Sequence, residues 1–400
     1  MRRSILIVFT LATQLVGCGH DDAAVTLAPR PGDPTLATRT AFSPAHLREG
    51  RAIFRFDTFG DETFWTDTLR MHEVIASSVS PATALSVGLK VDADALPEAV
   101  KSAIKNGTID LQSPKTTIAL LELGAVVGVV GQVSDGALTR VGITCAFCHS
   151  TVDNSFAPGI GARLDGWPNR DLDVGAIISL SPALTAAQKA VYGSWGPGMY
   201  DPRFSIDGKN TPLVLPPAYG LQGIKNETYT AEGAISYWNA YVAVTQMHGQ
   251  GNFSDPRLGI EIRQTPDLVT SKLPALAAYQ HSLRAPPPPA GSFNRDAARR
   301  GRTVFGLACA SCHIGGNGTD NNSGVLHRPE ETGVDGAYAA RTTTKAYRTT
   351  PLRALWQHPP YFHDGSAATL SDVVAQYNRV RRLNLSADQQ RDLVEYLKSL

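Results

Sequence analysis

The chain has 400 residues and a formal net charge of +1, with 42% hydrophobic and 18% charged residues. That length implies two domains, or one domain with large additions, and the composition is that of a soluble globular protein. A charge so close to zero, with no basic stripe or arm, excludes nucleic acid as the expected partner.

At the N-terminus, Arg2 and Arg3 precede an apolar run over residues 5–15. The run is too short to span a bilayer and has the form of an export signal. It closes on Leu15-Val16-Gly17-Cys18, which resembles the lipobox of bacterial lipoproteins. The resemblance implies cleavage before Cys18 and lipid on its sulfur; the alternative is a plain secretory signal with an unlipidated cysteine. Residues 19–45, rich in Asp, Pro, Thr and Ala, are then expected to be a flexible tether. On either reading the folded part lies outside the cytoplasm, in the periplasm and held to a membrane if Cys18 is lipidated.

Setting Cys18 aside leaves four cysteines in two C-x-x-C pairs, each followed by histidine: Cys145, Cys148 and His149, then Cys309, Cys312 and His313. C-x-x-C-H is the attachment site of c-type haem. Two thiols at this spacing add across the vinyl groups on one porphyrin edge, and the adjacent imidazole meets the iron as its proximal ligand. Three other uses of the thiols compete. A single zinc would need pairs 164 residues apart, from 145 to 309, and would waste both histidines. Redox dithiols want a thioredoxin-like βαβ context that neither pair has. Two short-loop disulfides are the third.

An internal repeat supports two haem domains. Gly50-Arg51-Ala52-Ile53-Phe54 recurs as Gly301-Arg302-Thr303-Val304-Phe305. An L-x-x-Y-x-x-S-L pattern occurs at 276–283 and again at 393–400. Each half therefore opens with a G-x-x-x-F helix and closes on an amphipathic one, the last with Ser386 and Gln389 as a capping box. This resembles the cytochrome c fold, whose first and last helices cross at a small residue, here Gly50 and Gly301. The expected architecture is mainly α, with long irregular loops. An N-terminal haem domain covers 46–284, a stiff Pro-rich linker 285–292 and a C-terminal cytochrome domain 293–400. The first domain carries a large insertion, because 90 residues separate Phe54 from Cys145 where three separate Phe305 from Cys309. Its apolar run at 118–130, interrupted by Glu122, is expected to be a core helix.

Downstream of the second motif, residues 347–378 read YRTTPLRALWQHPPYFHDGSAATLSDVVAQYN. This segment resembles the C-terminal domain of the bacterial di-haem cytochrome c peroxidase superfamily. The methylamine-utilisation di-haem enzyme is among its relatives, and the di-haem rubber oxygenases are more distant ones. The likeness is specific over 293–400 and weaker but collinear over 141–241. It implies two haem c groups, one relaying electrons and the other meeting hydrogen peroxide or dioxygen. A small periplasmic donor, a cytochrome c or a cupredoxin, would supply the electrons. The peroxidases place a distal Met where Tyr377 stands here, so Tyr377 is the candidate distal ligand of the second haem. They also supply a distal His soon after the first motif, and none occurs here between His149 and His248. The first haem is then open, or takes Met247 from elsewhere in the chain, with Met71-His72 a weaker rival. Glu232 is the candidate proton-shuttling acid. His363 and Asp364 are expected to orient their loop. A relay tryptophan is expected among Trp167, Trp195, Trp238 and Trp356. A calcium ion between the domains is common in the superfamily, though no acidic cluster here demands one. Two other functions stay open: oxygenation of an organic substrate, and pure electron carriage with both irons six-coordinate.

Overall fold

The computed structural model describes residues 42–400, together with the backbone of Val25 and Thr26. It is mostly helical, about 43% helix and 11% strand, and the strands form short two-stranded ribbons. Cys18 and the export signal lie outside the described residues, as does most of the stretch 19–45. Val25 and Thr26, however, pair antiparallel with Leu326 and Val325. The expected free tether is therefore laid in part on the C-terminal half. Among the described residues no helix is long and apolar enough to cross a membrane.

The repeat is realised as two helix crossings. Helix Pro44–Phe56 starts at the N-cap Ser43, whose hydroxyl accepts the His46 N–H. It packs on helix Leu273–Ser282. At the crossing a Cβ on Gly50 would lie 2.0 Å from the Ala275 carbonyl oxygen, so only glycine permits this approach. Phe54, fully buried, meets Tyr279 edge-on at 5.6 Å. The second crossing pairs helix Arg295–Ala308 with helix Ala387–Lys398. There a Cβ on Gly301 would stand 2.0 Å from the Asp392 carbonyl oxygen. The Ser386–Gln389 capping box starts the closing helix. Its Leu393, Val394 and Leu397 are buried on one face, each contributing roughly 1.5–3 kcal/mol by leaving water.

The insertion differs from expectation at 118–130. The helix there is Pro114–Glu122 and ends at Gly124, whose φ of +62° turns the chain. The rest becomes the strand Val129–Ser134, paired antiparallel with Ala137–Ile143. Glycine spacing and β-branched valines favour an extended chain over more helix. The hairpin delivers the chain to the first motif and rests on it: a Cβ on Gly128 would come within 2.1 Å of the Phe147 amide nitrogen.

The halves are joined by polar contacts. Arg341 reaches back to Asp201 and Asp207, at 2.7 Å each, and also to Thr211. Backbone bonds link Val214 to His363 and Arg348 to Tyr229. The Pro-rich stretch contains no helix or strand and touches the second half where Trp356 Nε1 donates to the Pro286 carbonyl at 3.4 Å.

Candidate haem-binding sites

The first motif follows strand Ala137–Ile143. Thr144 stops the strand by donating its hydroxyl to the Arg55 carbonyl and accepting the Ala146 N–H. A single helical turn, Ala146–His149, follows. It brings Cys145 and Cys148 together with His149 beside them. His149 Nδ1 donates to the Pro216 carbonyl at 3.0 Å. That bond fixes the tautomer and leaves Nε2 as a free lone pair, the form that binds a metal. Burial pushes the His149 pKa down to about 4 and both thiols up to about 12. Two amides brace the turn from outside: Gly166 N–H on the His149 carbonyl and Asn169 N–H on that of Cys148. Trp167 lies between these braces in the chain.

The second motif grows from the end of helix Arg295–Ala308, where Cys309 N–H still bonds the Phe305 carbonyl. His313 Nδ1 donates to the Gly318 carbonyl at 3.1 Å, the Thr350 backbone also interacts with the ring, and burial lowers its pKa. Cys309 is pushed up to about 11 by burial, whereas a hydrogen bond from His327 holds Cys312 below the usual thiol range. Beside the motif is a cavity of about 290 Å³. Cys309, Cys312, His313, Phe305 and Leu397 line it, with Tyr377 from helix Leu370–Val380. Burial pushes the Tyr377 hydroxyl up to about 12. Paired thiols, a buried imidazole and a largely apolar chamber suit a covalently held porphyrin.

The remaining expected site residues separate on placement. Met247 is buried in the cluster that also holds Phe54 and Tyr241, against which Cys145 packs. His248 is exposed, adopts φ +62° and stacks on Phe64 at 3.7 Å. Met71 packs on Trp65 and Phe147. Glu232 does not fit the shuttle role. It is buried, ion-paired to Arg203, and accepts the Thr343 N–H at 3.0 Å and the Thr230 hydroxyl at 3.1 Å. It lines neither of the two cavities described here. Its oxygens are committed to bracing the first half against the second. His363 bonds the Tyr347 hydroxyl at 2.9 Å, and Asp364 accepts from the Ser366 amide and hydroxyl. Of the tryptophans, Trp167 and Trp356 meet across the seam at 5.7 Å, with Tyr219 beside Trp167 at 6.2 Å. Trp195 packs among Tyr192, Tyr200 and Phe204, and Trp238 stacks on Tyr241. Metal-capable side chains gather at Cys312, Asp320 and His327. With one carboxylate, that group is no calcium site, since calcium takes six to eight oxygens.

Sequence reasoning did not single out Tyr219, whose hydroxyl reaches Gln357 and His358 across the seam. An apolar pocket in the insertion, which the 118–130 run suggested, is present with a volume of about 70 Å³. Leu120, Leu121, Val126 and Val129 help to line it, and it extends to Phe147 between the first pair of thiols. The run at 118–130 was its only signal.

Residues 298–400 match the cytochrome c family. Over 154 residues the chain is 30% identical to the methylamine utilization protein MauG of Methylophilus methylotrophus, covering 32% of this chain and 45% of that one. The chain thus spans less than half the length of the curated relative it matches. Two solved structures share weaker likenesses. One is a hydrazine synthase of Kuenenia stuttgartiensis, at 20% identity and a TM-score of 0.32 over 48% of this chain and 73% of that one. The other is a MauG-like protein associated with microbial copper homeostasis, at 18% identity and 0.34 over 49% and 75%. The family match places a cytochrome c domain at the C-terminal end of the chain.

Proposed function

We propose that this chain, whose residues 298–400 are a cytochrome c domain, is a periplasmic di-haem c-type oxidoreductase of the peroxidase kind. Bound at the two motifs, the porphyrin irons would supply the redox chemistry, the first as the centre that would meet hydrogen peroxide and the second as the one that would take electrons from a small cytochrome c or cupredoxin. The observation that carries this reading is that both C-x-x-C-H turns hold their imidazoles alike, each with Nδ1 on a backbone carbonyl beside its two cysteines. Cys145 and Cys148 would anchor one group, Cys309 and Cys312 the other. Tyr377 faces the second cavity from the helix that closes it and would be the distal ligand there; a phenolate favours the higher oxidation states of iron. Trp167 and Trp356 would bridge the halves by aromatic contact. Export and a lipid on Cys18 complete the proposal.

A second reading, oxygenation of an organic substrate, is favoured by the apolar pocket that reaches Phe147. Turnover of the purified protein with peroxide plus a reduced donor, against dioxygen plus an apolar substrate, separates the two. Peroxide consumption matched to donor oxidation supports the first; product formed from dioxygen without peroxide supports the second.

A further inference from the structure

The cavity beside the second motif contains charge that its lining does not neutralise. Arg170 comes from the first half and Arg348 from the second, and both line the chamber with Cys309, Cys312 and His313. Nε and Nη1 of each guanidinium are buried without a hydrogen-bond partner. Arg348 is positioned by one bond, from Nη2 to the Glu227 carbonyl at 3.0 Å. Buried guanidinium groups are costly unless an anion accompanies them.

The neighbouring groups do not provide that anion. The Glu227 carboxyl lines the same cavity with neither oxygen hydrogen-bonded, and His281 Nε2 stands 3.6 Å away. Burial pushes the Glu227 pKa up to about 8 against the pull of Arg348, and no hydrogen bond joins its oxygens to that guanidinium. Tyr219, Tyr229 and Tyr361 are all raised by burial and stay protonated. His358 is pushed down to about 3 and stays neutral. The chamber is therefore cationic as well as apolar. A c-type porphyrin presents two carboxylate arms on the edge away from its thioether bonds, and arginine pairs with carboxylates in bidentate fashion.

We infer that Arg170 and Arg348 seat the carboxylate arms of the porphyrin attached to Cys309 and Cys312, one arginine from each half. The second cofactor is thereby shared by both halves of the chain and helps to hold them together. The inference rests on the reading that the second motif carries haem, which mass spectrometry of the unaltered protein tests separately. A chain without haem on Cys309 and Cys312 overturns both.

The test compares the two-haem protein with Arg170→Gln, Arg170→Lys and Arg348→Gln. Haem content is read by mass, the porphyrin carboxylate-bending band by resonance Raman, and each reduction potential by spectroelectrochemical titration. A Cys145→Ala/Cys148→Ala background identifies the signals of the second haem. Both glutamine variants are expected to keep two haems, shift the bending band and lower the potential of the second haem. Removing a cation favours the ferric state, here by about tenfold in the reduction equilibrium, or about 59 mV for one electron. Arg170→Lys should recover most of that shift. An unchanged band and unchanged potentials in both glutamine variants overturn the inference, as does a change confined to the first haem. If Arg348→Gln does not fold, the Arg170 pair decides alone.

Discussion

The two C-x-x-C-H turns each bond the histidine backbone N–H to the first cysteine carbonyl and sit in different surroundings. The first is wrapped: the hairpin of the insertion presses on Phe147, Cys145 packs on one apolar cluster and Cys148 on another. The second ends an exposed helix, with Leu307 beside it 87% exposed, and opens on a chamber of about 290 Å³ closed by Tyr377. Burial lowers the pKa of both imidazoles, and each is held by Nδ1 on a backbone carbonyl, so the histidines do not distinguish the two motifs. What differs is the material over each. An insertion built of helices and a hairpin sheathes the first, and a tyrosine-bearing helix together with residues from the opposite half encloses the second.

The largest effect should come from removing one anchor at a time. Cys145→Ala with Cys148→Ala should lose one haem by mass and leave the second bound, and Cys309→Ala with Cys312→Ala should do the reverse. Loss of both groups from either variant would break the comparison.

A smaller effect, dependent on pH, should come from the seam. In the folded state the Glu227 carboxyl is raised from 4.5 to about 8, chiefly by desolvation. Between those values the folded protein binds the proton that the unfolded chain has released. Stability should therefore fall as pH rises from 4.5 to 8, by about 5 kcal/mol at most. Glu227→Gln should flatten this part of the profile, measured by denaturant unfolding at pH 5 and at pH 8. A slope identical to that of the unaltered protein would remove Glu227 as its source.

Overpacking the helix crossings is next in size. Gly50→Ala and Gly301→Ala each drive a Cβ toward a backbone carbonyl 2.0 Å away. Each should cost roughly 1–3 kcal/mol as the helices separate. Similar losses in thermal or denaturant melts would show that the repeat is structural in both halves; a loss in one only would make the crossings unequal.

The smallest change in stability should accompany Tyr377→Phe, which retains the ring and its packing. Its effect is spectroscopic: the low-spin signal of the second haem should change while that of the first does not. An unaltered spectrum excludes Tyr377 as a ligand.

Much of this was legible in the chain. The glycine before each G-x-x-x-F phenylalanine marked the crossings, because close helix approach leaves a one-residue signature. The Ser386–Gln389 box marked the last helix for a similarly local reason. At 118–130 the signal misled, since an apolar run does not distinguish a helix from a helix followed by a hairpin strand, and Gly124 decided between them. Glu232 misled differently. Its partner Arg203 is 29 positions away and Thr343 is in the other half, so nothing local showed that the carboxylate was already committed. Arg170 and Arg348 were silent for the same reason, as burial of a guanidinium is a property of the assembled seam.

Under the proposed function the first iron would be open to peroxide within its sheath, and the second would take Tyr377 from its chamber as a protein ligand. Low-temperature EPR of the oxidised protein, repeated after half-reduction and after adding peroxide, tests this difference most directly. The account predicts a high-spin ferric signal that peroxide consumes, beside a low-spin signal assigned to the second centre. Two low-spin signals indifferent to peroxide in every state would contradict it and leave a two-haem electron carrier.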